Sequence, residues 1–103
     1  MTPQLRIQIK NILEKKKPCY ERMNEMYKLL KENGFTQQYI ADESGLSKQI
    51  VSHFCKPYLM TPKLDSIILL ARSLEFDKST TKTLVKMYYP EIYTAVEEIE
   101  RNS

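Results

Sequence analysis

Only two glycines occur in this chain of 103 residues, and that scarcity constrains its fold more than any other feature. Sheet proteins turn often and place glycine where the backbone must take positive φ. A chain with so few is expected to be all-α, with helices joined by short loops. Both glycines sit where a helix should end. Gly34 follows an amphipathic stretch, and Gly45 follows a shorter one that closes at Ser44. A residue free to turn left-handed is what a helix C-terminus uses.

The apolar residues recur at helical spacing along most of the chain. Thr2 and Pro3 open a first helix, as N-cap and first-turn proline, with Leu5, Ile9, Ile12 and Leu13 on one face. Lys15, Lys16, Lys17 and Pro18 end it. Met23, Met26, Tyr27 and Leu30 share a face of a second helix, from Tyr20 to Glu32. Thr36 caps a short third helix with Ile40 and Ala41. A fourth, over 47–55, carries Ile50, Val51 and Phe54. Thr61 and Pro62 are expected to begin a fifth helix through Leu74, apolar nearly all round and therefore the most buried. Asp77, Lys78 and Ser79 break the chain again. Leu84, Tyr88, Ile92, Val96 and Ile99 continue the pattern, with Pro90 predicting either two helices or one kinked helix. The expected organisation is a single domain: an N-terminal extension (1–19), a central unit (20–77) and a C-terminal segment (78–103).

Charge and composition exclude several function classes. The longest apolar run, Ile67 to Ala71, is far shorter than the ~20 residues that span a bilayer, so no membrane partner is expected. No basic start leads into an apolar leader, so the expected location is cytoplasmic, with Cys19 and Cys55 as reduced thiols. A single histidine, no glycine-rich phosphate loop and no spaced nucleophile–base pair argue against an enzyme, and nothing asks for a cofactor. His53 and Cys55 are two apart and do not share a helix face, so no metal site is expected. The net charge of +3 is uneven: residues 1–63 hold 11 Lys/Arg against 6 Asp/Glu, and residues 64–103 hold 5 against 7. A basic N-terminal part suits a surface that meets a polyanion.

The informative segment runs from Gln37 to Phe54. Two short helices joined by a tight turn must cross steeply, and each demand of that geometry has a residue. Ala41 is small where the helices approach. Gly45 stands where the turn needs a left-handed backbone. Ile40, Leu46, Val51 and Phe54 face inward, and Ser47 can cap the second helix.

The run from Thr36 to Phe54, Thr-Gln-Gln-Tyr-Ile-Ala-Asp-Glu-Ser-Gly-Leu-Ser-Lys-Gln-Ile-Val-Ser-His-Phe, resembles the helix-turn-helix of the Cro/repressor (Xre-type) DNA-binding family. The flanks agree with it: Leu30 to Phe35 before, then Pro62 to Asp65 and Leu69 to Leu74 after. The resemblance covers about residues 22–77. It departs from the family where a glutamate and a glycine commonly follow the second helix, since this chain has Cys55 and Pro57 there and a slightly long loop. The implied fold is a lambda-repressor-like helical bundle with extra terminal helices.

The resemblance implies that the second helix lies in the major groove of double-stranded DNA. Its readers are then Lys48, Gln49 and His53, with Ser47 and Ser52 beside them. Gln49 can pair with adenine, and Lys48 can donate to guanine O6 and N7. Gln37, with Gln38 beside it, matches the position that clamps a phosphate at a helix N-terminus. Lys56 and Tyr58 are candidate backbone contacts. The implied function is a transcriptional repressor of the kind found in phages and mobile elements, bound to an inverted repeat as a homodimer. One unit reads few base pairs, so something must dimerise it. The C-terminal segment offers Leu84, Tyr88, Tyr89, Ile92, Tyr93 and Val96, rich in the aromatics that interfaces favour; the N-terminal helix offers Leu5, Ile9 and Ile12. The alternative function is a helix-turn-helix protein that contacts a protein, as an antirepressor or an antitoxin-like regulator. A protein partner is also one way to relieve repression.

Overall fold

The computed structural model describes residues 1–102, without the side chains of Tyr93, Ala95, Val96, Glu97 and Asn102. Its regular structure is entirely helical: α1 (Pro3–Leu13), α2 (Cys19–Glu32), α3 (Gln37–Ser44), α4 (Lys48–His53), α5 (Leu64–Ser73), α6 (Lys78–Tyr88) and α7 (Pro90–Asn102). Helix starts follow local chemistry. Thr2, Thr36, Ser47 and Asp77 each accept a hydrogen bond from the backbone N–H three residues on, at 2.7–3.2 Å. These caps satisfy N–H groups that a helix leaves unpaired at its N-terminus.

Helix ends are equally local. Gly34 has φ +87°, and the Phe35 N–H reaches back to the Leu30 carbonyl at 2.8 Å. The same closure ends α5 without glycine: Glu75 takes φ +56° and Phe76 N–H bonds the Ala71 carbonyl at 2.9 Å. The break therefore falls two residues before the expected Asp77–Ser79, and Asp77 opens α6 as its cap. No glycine marks this turn, which is why the pattern alone misplaced it. Pro90 yields two helices, α6 and α7, rather than one kinked helix.

α5 differs from expectation at both its start and its burial. It begins at Leu64, so Thr61 and Pro62 lie in the preceding loop. It buries Ser66, Ile67, Leu70 and Ala71 but leaves Leu64 and Leu69 exposed. A bundle this small cannot surround one helix on every side, so even a helix apolar all round has an outer face.

The core is continuous from Leu5 to Tyr88. α1 packs on α2 and α6, and its Leu5, Ile9, Ile12 and Leu13 are buried. The residues expected as an N-terminal extension are thus part of the central unit, and their apolar face is not free for a dimer. α5 packs on both α3 and α6, which joins the short helices to the C-terminal half. No helix is long and apolar enough to cross a membrane among the described residues.

Candidate nucleic-acid interface

Two short helices and a three-residue turn form the candidate site. α3 ends when Gly45 turns left-handed at φ +78° and gives its N–H to the Ala41 carbonyl at 3.0 Å. No atom lies within 4 Å of where a Gly45 Cβ would stand, so the glycine is there for its backbone and not for space. Ser44 is buried and links the turn, with its Oγ accepting from Leu46 N–H at 3.2 Å. Ser47 then caps α4.

α4 has six residues, too few to persist by itself, so tertiary contacts must hold it. Val51 and Phe54 are fully buried. The Tyr27 hydroxyl, from α2, donates to the Val51 carbonyl at 2.7 Å, and the Tyr88 hydroxyl, from α6, donates to the Phe54 carbonyl. The Tyr88 ring also meets Phe54 edge to face, with centroids 5.7 Å apart. Beyond α4, the Tyr89 hydroxyl donates to the Pro62 carbonyl at 2.6 Å. Tyr27 of α2, Tyr88 of α6 and Tyr89, the residue that caps α6, therefore hold the backbone of α4 and its following loop. Burial raises the Tyr27 and Tyr88 phenols well above their usual range, so they stay protonated as donors.

These tyrosines are the site-building residues that sequence reasoning missed. Tyr27 reads as one more apolar residue on its helix face, and Tyr88 and Tyr89 as interface aromatics. The available signal is chemical: a tyrosine at a core-facing position must find a partner for its hydroxyl.

The expected contact residues divide into groups. Lys48 and Gln49 stand exposed on the first turn of α4, beside the exposed cap Ser47. Ser52 and His53 follow on the same short helix, but both are half-buried. His53 Nδ1 is buried without a hydrogen-bond partner, so this ring sits at the core edge more than on the open face. Gln37 is half-buried at the first position of α3, while the Gln38 amide is engaged by Asp42 at 2.9 Å. Lys56 and Tyr58 are exposed in the loop, and the helix expected over 47–55 is α-helical only from 48 to 53. Residues 44–64 contain Lys48, Lys56 and Lys63 and no carboxylate, with Asp42, Glu43 and Asp65 on either side of this stretch.

The expected dimer residues are not one surface. Leu84 and Tyr88 are buried in the core, Tyr88 under Phe54, so neither can face a second copy. Tyr89 is half-buried against Pro62. Ile92 is exposed. The side chains of Tyr93 and Val96 lie outside the described residues.

Cys19 and Cys55 are both free thiols. Burial raises each, Cys55 to about 11, so neither is a reactive thiolate at neutral pH.

No family model matches this chain, and no curated protein or solved structure shows significant similarity to it.

Proposed function

We propose that this protein is a sequence-specific regulator that binds double-stranded DNA, with α3 and α4 as a helix-turn-helix in a lambda-repressor-like arrangement. It acts as a repressor that occupies an inverted repeat as a homodimer. The observation that carries this reading is the placement of Lys48 and Gln49: exposed and adjacent, on the first turn of a helix whose backbone is held rigidly from beneath. A reading helix has to meet both conditions, since its side chains must reach base edges from a fixed frame. The absence of carboxylates from residues 44–64 supports the same reading, because phosphates repel them. Gln49 pairs with adenine and Lys48 with guanine, each such pair contributing about 1–3 kcal/mol of discrimination. Gln37, at the start of α3, positions the unit on a phosphate.

Selection from a pool of random duplex DNA with the purified protein tests this directly. An enriched inverted repeat is the expected result, with half-sites about 34 Å apart and affinity that falls steeply with salt. Gln49→Ala then relaxes preference at one base pair, whereas Gln37→Ala weakens all sequences alike. An unenriched pool would overturn the reading and leave a protein partner as the function of this surface. The exposed apolar loop that follows α4 is the observation that favours that second reading.

A further inference from the structure

α1, α2, α6 and the first residue of α7 surround a cavity of about 520 Å³, a size that suits a small organic molecule. Leu13, Met87 and Pro90 give it an apolar wall. Its polar lining consists of Glu14, Arg22, Thr83 and Lys86. An apolar wall with a few placed polar groups is the usual make-up of a ligand site.

Arg22 is the polar group whose hydrogen bonding is incomplete. Its Nη1 donates at 2.9 Å to the Leu13 carbonyl, one of the acceptors that the last turn of α1 leaves open. That bond gives the residue a structural use, as a cap on α1, but it occupies one nitrogen. Nε is shut off from water and has no acceptor. Burying a donor without a partner costs stability, so an orphan of this kind asks for an explanation. Nε and Nη2 lie along one edge of the planar guanidinium, and a carboxylate fits such an edge through two parallel hydrogen bonds.

The other lining groups narrow the class. Thr83 Oγ1 already donates to the Ser79 carbonyl at 3.1 Å, and Lys86 is engaged within the chain, which leaves Arg22 as the anchor. Glu14 is exposed and negative, and it opposes a second negative charge on an occupant. A phosphate or a di-acid is disfavoured for that reason. Half-buried Met87 is the adaptable member of the wall, able to give way as an occupant enters.

We propose that this cavity binds a small organic monocarboxylate, with the carboxylate on the Nε–Nη2 edge of Arg22 and an apolar tail against Leu13, Met87 and Pro90. The assignment stands without the DNA reading, since none of these residues belongs to α3, α4 or the loop after them.

Titration of the isotope-labelled full chain with hexanoate, followed by NMR, tests the proposal. Hexanol and hexylamine share the tail and lack the carboxylate, and hexyl phosphate supplies an anion of higher charge. Hexanoate is expected to bind saturably and to move the Arg22 Nε–H signal together with the amides of Thr83 to Met87. It should bind about tenfold more tightly than hexanol or hexylamine, and more tightly than hexyl phosphate. Arg22→Lys keeps the charge but not the fork, and should weaken hexanoate by about tenfold. Glu14→Gln changes an exposed residue and should strengthen hexanoate by about twofold, a test that holds even where Arg22→Lys loosens the end of α1. An Arg22 Nε–H signal that hexanoate leaves unmoved, an alcohol that binds as well as the acid, a phosphate that binds better, or a Glu14→Gln chain with unchanged affinity would each overturn the proposal.

Discussion

α4 and α7 invert what helix length alone would predict. α7 spans thirteen residues and α4 only six, so the longer helix should be the more secure. Yet α4 and its cap residue bury Val51 and Phe54 completely and receive tyrosine hydrogen bonds from two other helices, while α7 packs chiefly against its neighbour α6 and leaves Ile92 and Ile99 exposed. Anchoring comes from buried area and satisfied backbone groups, not from the number of turns. The division suits the proposed role of α4. A reading helix must hold its side chains in a fixed frame, and the contacts beneath α4 supply one.

The largest expected effect breaks the anchoring of α4. Phe54→Ala empties the site beneath its C-terminus and should cost about 3–5 kcal/mol in chemical denaturation. An effect below 1 kcal/mol would show that α4 is held otherwise. Tyr88→Phe is subtler: it keeps the ring against Phe54 but leaves a buried carbonyl without its donor, with an expected loss of about 1–3 kcal/mol. No loss would mean that the hydroxyl does not matter and the aromatic contact suffices. Gly45→Ala forces a side chain into the left-handed region and should cost about 1–2 kcal/mol, all of it from the backbone because the space around it is open. At the other end of the comparison, Ile92→Ser at low protein concentration should change stability by no more than about 0.5 kcal/mol. A larger loss would place the α7 stripe against the body of its own chain and remove the contrast with α4.

Much of the fold was legible from residue pattern. The threonine and serine caps and the Gly34 and Gly45 ends are local rules, set within a few residues, and they reappear in the structure; at Pro90 the pattern allowed two helices or one kinked helix, and the structure has two. The Glu75 turn was not legible, because it puts an ordinary residue where glycine is usual; its exposed side chain meets Arg6, 69 residues away in sequence. The candidate site was legible in part. Lys48 and Gln49 were named through the resemblance, and the partial burial of His53 and the engagement of Gln38 by Asp42 were not legible at all. Leu84 and Tyr88 were misread because an apolar helix stripe looks the same whether it faces the core of its own chain or another.

By itself, then, the sequence determined what depends on neighbours in the chain: helical class, most helix limits, the tight turn at Gly45 and the polar first turn of α4. Tertiary structure alone decided which apolar stripes are used internally and which stay open. The apolar faces of α1 and α6 are consumed by the core, while the loop at Tyr58–Met60 and the side chains of Ile92 and Ile99 are exposed. The physical reason is that hydrophobic burial has no direction of its own. Periodicity says that a face must be covered, and only packing says by what.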